Sequence, residues 1–478
     1  MGVKARVLPD FLDRVLAAEV PRGGTVLDLM CGTGVVATHC ADRHRIFTND
    51  AQEYAQVIAR SLVEHDPAEK EAFLRSVDPR RDLFPAFKKN LSALERIYAE
   101  PRRAERALLE RFEKAGKSAS WARDYRAYLE TPGGCYCADA PGSGADAPGS
   151  GDRLYARAGT LLSERSISRY RADPRRRPAC LITSYYANIY FGLRQALEID
   201  SLRAAIDELD GLDETDGRDE TEEGRVRVSN AERKKVHYLS ALLHAASVST
   251  SGTSHFAQPR HLSKDTELCA MARRRKGDIF SLLEEFSAEI LSTVRLTRYT
   301  EGNRCFVGDY RSLVVGKGDR CRFRLPQRPD LVYLDPPYTA DHYSRFYHVL
   351  EVLARYDYPV LERGSSGAVV RGRYPDIRRR FQSGFCRPAS VEDEFRQVIR
   401  AAAGSGAKLV ISYASPTGLL LKHYAKTFPG TKPIRRFESL CRENYRKVVT
   451  KRLPMMHSGQ GDRNLAIEEL LVVCSGPR

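Results

Sequence analysis

Apolar residues along this chain follow two rhythms. Near the start, Phe11, Leu12, Val15 and Leu16 recur at helical spacing, and the mostly apolar run 25–29 is closed by a Gly-x-Gly turn. A helical stretch follows, then a second strand at 45–48 that ends on Asn49 and Asp50, and then another helix. The same alternation returns after residue 304, with strands predicted at 305–307, 331–334, 408–412 and 470–474 and helices at 343–355 and 391–403. Strands that alternate with helices predict an α/β fold with a doubly wound, mainly parallel sheet. Between 61 and 300 the pattern is helical, highly charged and poor in β-branched residues. The prediction is one α/β domain in two pieces, 1–60 plus 301–478, interrupted by a large, mainly helical insertion over 61–300.

Two stretches of the insertion cannot bury a core. The repeat ADAPGSGADAPGSG lies in a segment, 133–152, that reads as a flexible linker, and DELDGLDETDGRDETEEG at 207–224 reads as a solvated acidic loop. A chain of 478 residues exceeds what one core needs. Its eleven cysteines form no CxxC pair, which argues against a zinc site and a secreted disulfide framework, so no metal is expected. No apolar run is long enough for a membrane span and no secretory leader is evident, so a cytoplasmic protein is expected. The net charge of +15 is the footprint of a polyanion partner or of a basic, solvated surface. The charge is clustered at Arg175–Arg177, Arg273–Lys276 and Arg378–Arg380.

The first chemical motif is VLDLMCGTGVVA at 26–37. Glycines at 32 and 34 allow a ligand to approach the backbone closely. Asp50, ending the next strand, can take a pair of ribose hydroxyls. The pattern fits a nicotinamide enzyme, an S-adenosylmethionine enzyme or a tight structural turn. Asp28, just before the turn, favours S-adenosylmethionine, because a carboxylate meets a cationic amino group but repels a pyrophosphate.

The second motif is LDPPY at 334–338. Read alone it also suits a strand ending in a turn. It resembles motif IV of DNA N6-adenine methyltransferases, (D/N/S)PP(Y/F). The resemblance implies a Rossmann-like class I methyltransferase sheet, S-adenosylmethionine as cofactor and methyl transfer to adenine N6. The exocyclic nitrogen is a poor nucleophile because its lone pair is delocalised. The Asp335 carboxylate and the Pro336 carbonyl would each accept one of its N–H groups. Pro336 and Pro337 would hold these acceptors rigidly. Tyr338 would stack on a base flipped out of the duplex.

The order of motifs resembles the alpha-type arrangement of Dam and related restriction-modification adenine methyltransferases. On that resemblance Lys4, Asp28, Cys31, Gly32, Thr33, Gly34, Asp50 and Asp309 bind cofactor. Asp309 equally suits a helix-capping loop acid. Tyr343 and Phe346 are read as plain core, while Ser412 and Tyr413 end the strand that would bear motif VI. Arg273, Arg274, Arg275, Arg378, Arg379 and Arg380, with the Gln258–His261 stretch, are the candidates for DNA contact. The implied partners are double-stranded DNA and a cognate restriction endonuclease or other defence component, in a bacterial, nucleoid-associated setting. A monomer or weak dimer is expected. The motif-level resemblance covers about 1–60 and 304–474. CGTG departs from the FxGxG of Dam-like enzymes, and no Pro-Cys dipeptide offers a cytosine-C5 nucleophile. The rival readings are cytosine-N4 or RNA-adenine methylation, a catalytically silent DNA-binding relative and, more distantly, a nicotinamide oxidoreductase.

Overall fold

The computed structural model describes residues 12–130, 154–176, 178–209, 229–253, 256–298, 301–458 and 464–478. Lys4 and the 133–152 linker lie outside the described residues, as does the acidic loop beyond residue 209. Asp207, placed by the sequence pattern in that loop, is instead the last residue of helix Leu193–Asp207, where it pairs with Arg203 one turn back. The chain forms two units. One comprises residues up to 71 with 292–344 and 381–478, and the other comprises 72–291 with 345–380.

The first unit is built on a seven-stranded sheet. In chain order its strands are β1 (Thr25–Asp28), β2 (Arg45–Asp50), β3 (Arg304–Val307), β4 (Leu331–Leu334), β5 (Lys408–Ser415), β6 (Tyr445–Ser458) and β7 (Asn464–Pro477). Their spatial order is β3-β2-β1-β4-β5-β7-β6. β3, β2, β1, β4 and β5 pair in parallel, and β7 lies antiparallel between β5 and β6. Successive residues of the inner strands enter opposite cores. Val26, Ile46, Leu331, Tyr333 and Val410 pack with Leu16, Val36 and Val63 on one face. Leu27, Phe47, Val332, Leu334, Leu409 and Ile411 pack with Phe395, Ile399, Leu420 and Phe437 on the other. Burial on both faces is why these strands read as continuous apolar runs. Each large apolar side chain so buried contributes roughly 1.5–3 kcal/mol.

In the second unit, all regular elements among the described residues of 72–291 are helical. Helix Leu193–Asp207 is buried along almost its whole length, and Asp200 within it is a hub. The Asp200 carboxylate accepts the Ile182 and Thr183 N–H groups at 2.9 and 2.7 Å and the Tyr356 hydroxyl at 2.5 Å. Burial nevertheless pushes its carboxyl up to about 6. A second core stacks Trp121 between Phe112 and Tyr125, with ring centroids 4.6 and 5.1 Å apart. The helix expected over 343–355 is two pieces, Tyr343–Phe346 and His348–Arg355, and residues 345–380 pack with the helical unit. No helix among the described residues is long and apolar enough to cross a membrane.

Candidate active site

Parallel strands bring their C-terminal ends to one edge of a sheet. β1 and β4 are neighbours, with Leu27 opposite Val332 and Asp28 opposite Tyr333. The Leu29 N–H donates to the Tyr333 carbonyl at 3.0 Å, which extends the ladder past the end of β1. The glycine turn and the LDPPY segment therefore leave adjacent strands, ~4.8 Å apart, at the same edge. β2 and β3 end there too, which adds Asp50 and the Gly308–Asp309 corner.

The glycine turn is fixed by its own backbone and by Asp50. Gly32 and Gly34 have φ of +52° and +71°. Other residues would pay roughly 1–2 kcal/mol there. A Cβ on Gly34 would touch Ala59 at 3.4 Å, whereas one on Gly32 would meet nothing within 4 Å. Gly34 thus lets helix Glu53–Val63 approach closely, while the space over Gly32 is open to a ligand. The Asp50 carboxylate accepts the Gly32 N–H at 3.0 Å and the Gln52 N–H at 2.9 Å. Burial raises the Asp50 carboxyl above its usual value, and these amides work against that shift. Asp28, the last residue of β1, is 1 % exposed. Burial, followed by the nearby Asp28 and Asp50 charges, raises the Cys31 thiol well above its ordinary range. Thr33 is half-buried at the crest of the turn.

Asn49 was not singled out by its chemistry in the sequence. It is 1 % exposed, and its Nδ2 donates to the Leu29 and Gly308 carbonyls at 3.3 and 3.2 Å. One side chain thereby ties together the loops that follow β1 and β3. Its Oδ1 is buried with no hydrogen-bond partner among the described residues. The available signal was an amide side chain at a strand position that otherwise belongs to the core.

Beyond β4, Asp335 is half-buried, Pro336 buried, and Pro337 and Tyr338 half-buried. The Tyr338 carbonyl accepts the Leu419 N–H at 2.9 Å. Leu334 pairs with Ile411, so the last four residues of β5 run on beside this segment. Ser412 bonds Glu469 and the Tyr413 hydroxyl accepts the Leu420 N–H at 3.0 Å, so both brace the wall. Asp309 accepts the Arg311 N–H at 3.0 Å and its guanidinium at 2.7 Å, capping a short 3-10 turn, and Arg311 also reaches Glu394. Tyr343 and Phe346 are half-buried.

The candidate DNA arginines all belong to the helical unit. Arg378, 85 % exposed, pairs with Asp376, and Arg379 is exposed. Arg380 is turned inward at 6 % exposure, held by Glu362 at 2.7 Å and lying over the Tyr374 ring. Arg273 lies over the Phe112 ring, and Arg274 donates to the Val248 carbonyl. Arg275 is 1 % exposed, its guanidinium directed at Tyr125 and Asn188. Arg260 is bound to the Ser251 carbonyl and to Glu267.

Two carboxylates at the ends of adjoining strands thus flank a turn with open space above Gly32. That donor set fits a ligand with one cationic amine and a pair of hydroxyls, as S-adenosylmethionine has. It does not suit a pyrophosphate.

Comparison with known proteins agrees with the motif. Residues 319–364 match the family model described as D12 class N6 adenine-specific DNA methyltransferase. The Modification methylase LlaI of Lactococcus lactis subsp. lactis is 37% identical over 93 residues, which is 18% of this chain and 14% of that protein. The Type II methyltransferase M.FokI of Planomicrobium okeanokoites is 30% identical over 122 residues, 26% of this chain and 17% of that protein. The chain therefore aligns with well under a quarter of the length of either relative. No solved structure matches. The likeness expected from LDPPY is shown for the segment that carries it.

Proposed function

We propose that this chain is an S-adenosylmethionine-dependent DNA methyltransferase acting on adenine N6 in duplex DNA, and that its sheet is a Rossmann-like class I methyltransferase sheet. One observation carries the reading. LDPPY leaves β4 beside the glycine turn that leaves β1, at the edge where the strand order reverses. In open α/β sheets, ligands sit at that switch point.

S-adenosylmethionine, when bound, supplies an electrophilic methyl group on a sulfonium. The chain's own residues would do the rest. Asp28 meets the amino group of the methionine end. Gly32 and its neighbours Cys31, Thr33 and Gly34 shape the floor. Asp50 takes the ribose hydroxyls, and Asp309, oriented by Arg311, takes the adenine end. Asp335 and the Pro336 carbonyl accept the two N–H groups of the target amine and direct its lone pair. Pro337 and Tyr338 fix the segment, and the Tyr338 ring stacks on the flipped base. The work is positioning and electrostatics without a covalent intermediate. Of the arginines, the exposed Arg378, Arg379, Arg273 and Arg274 are those available to DNA phosphates. A role in restriction-modification or another defence system fits the named relatives.

The test is to incubate the protein with methyl-labelled S-adenosylmethionine and genomic DNA, then digest the DNA to nucleosides. Label in N6-methyldeoxyadenosine is expected. Label in N4-methyldeoxycytidine would overturn the choice of base, and label confined to RNA would overturn the choice of nucleic acid.

A further inference from the structure

One arginine-rich stretch of the helical unit is not part of the site above. Between 163 and 176 the sequence SERSISRYRADPRR holds five arginines against two acids. It forms helix Glu164–Ala172, capped by Ser163, whose hydroxyl accepts the Ser166 N–H at 3.2 Å, and a turn follows. The helix has two unlike faces. Ile167 and Tyr170 are buried, and the Tyr170 ring stacks on Tyr358 at 4.9 Å. Arg171 turns to the same inner side and donates to the Tyr358 carbonyl at 2.9 Å. Arg165, Arg169, Arg175 and Arg176 face solvent. Among the described residues, the ion pair formed by these four is Arg176 with Asp173, at 3.7 Å. Ser166, Arg169, Tyr170 and Arg176 line a cleft of about 190 Å³.

We propose that this arginine face is a docking surface for the backbone of duplex DNA, with one phosphate seated in the cleft between Arg169 and Arg176. The inference rests on the DNA reading above but not on the chemistry at Asp335. The helix is anchored from inside by Tyr170 and Arg171, and among the described residues its outward guanidiniums contribute to the unit one long ion pair, Arg176 with Asp173. A polyanion complements a surface where cations outnumber acids, and paired guanidinium groups suit phosphate oxygens. Such pairing gives affinity and register without reading sequence. It also releases counterions, so its signature is the dependence of affinity on salt.

The experiment measures binding of a labelled mixed-sequence DNA duplex to the full chain between low and moderate salt. The wild type is compared with the double variants Arg169→Gln/Arg176→Gln and Arg169→Lys/Arg176→Lys. Each phosphate that the protein no longer neutralises lowers the slope of log affinity against log salt by about 0.9. The glutamine variant is expected to lose about one to two units of slope, with weaker binding at low salt. The lysine variant is expected to keep most of the slope, and both are expected to melt as the wild type does. An unchanged slope in the glutamine variant, with steep wild-type binding, would overturn this surface and leave the methyltransferase reading intact. Loss in the lysine variant together with a lowered melting temperature would show a structural role and also overturn it. Wild type without salt-dependent affinity for DNA would overturn both readings, as would tighter binding of an RNA duplex.

Discussion

Replacing Asp50 by alanine removes the carboxylate that accepts the Gly32 and Gln52 amides at 3.0 and 2.9 Å. A hydrogen bond to a charged group contributes about 1.5–3 kcal/mol, so the two are worth roughly 3–6 kcal/mol before offsets. Part of that is already spent, because burial holds the Asp50 carboxyl above its ordinary value. A net loss of about 2–3 kcal/mol in unfolding free energy follows, concentrated in the glycine turn. On our reading Asp50 also takes the ribose hydroxyls, so affinity suffers twice: the turn loses order and the ligand loses an acceptor. Each 1.4 kcal/mol is about tenfold in affinity, so S-adenosylmethionine should bind roughly 10- to 100-fold more weakly. Titration calorimetry with S-adenosylmethionine reads the affinity, and urea denaturation reads the stability. Asp50→Asn keeps one acceptor and should fall between wild type and alanine in both. Lowered stability with unchanged affinity would confine Asp50 to bracing the turn and refute its ligand role. If neither quantity changed, the account of the turn itself would be wrong.

Asp335→Ala should lower methyl transfer by at least about 10²-fold, as loss of a preorganised transition-state partner does, while cofactor affinity stays near wild type; retained turnover in the labelled-nucleoside assay would remove Asp335 from the chemistry. Gly34→Ala places a Cβ at φ +71° and 3.4 Å from Ala59, so the melting point should fall in step with about 1–2 kcal/mol, and an unchanged melting curve would contradict the strained turn. Glu198 is buried in the helical unit, and burial pushes its carboxyl from 4.5 up to about 7, against the pull of Arg194. The folded state then holds the proton more tightly than the unfolded one, so this contribution is complete below about pH 4.5 and is lost as pH rises towards 7. The loss is about 3 kcal/mol; denaturation of Glu198→Gln across that range should show a flatter pH profile, and an equally steep one would exclude Glu198 as its source.

The inner strands were legible because burial on both faces makes a short uninterrupted apolar run. β6 was not, because an edge strand keeps a solvated side: Arg446, Lys447, Lys451 and Arg452 interrupt the apolar run with charge. The motifs at Gly32, Gly34 and 334–338 were legible because each needs particular residue types at fixed spacing. Their neighbourhood was not, since the pairing of Val26 with Leu331 leaves no local trace. The arginine runs show the same limit. Arg275 falls at the C-terminal cap of helix Asp265–Arg274, where the chain turns and carries the side chain inside towards Tyr125. Arg380 goes inward because Glu362 waits there. A run of like charges reads as a solvated face until its long-range partners are known.

Those partners also explain how a chain can leave the sheet for more than two hundred residues and return in register. The exit and the return are welded inside the sheet unit. Asn303, 1 % exposed, accepts the Ile46 N–H at 2.8 Å and donates to the Val63 carbonyl at 2.7 Å, joining the approach to β3 both to β2 and to the end of helix Glu53–Val63. Lys70 adds a bond to the Thr297 carbonyl. With the two ends held together, the entropy of closing the excursion grows only logarithmically with its length, by about 0.6 kcal/mol per doubling. The sheet is therefore nearly indifferent to what is inserted. The crevice depends instead on strand order. The chain leaves β1 towards β2 and β4 towards β5, on opposite sides, so the loops that follow these two neighbours diverge at the shared edge. Divergence opens the space, Asn49 and Asp50 brace one lip, and the Leu419 amide on Tyr338 braces the other. The glycine turn and the LDPPY segment, about three hundred residues apart in sequence, become neighbours at one sheet edge by topology alone.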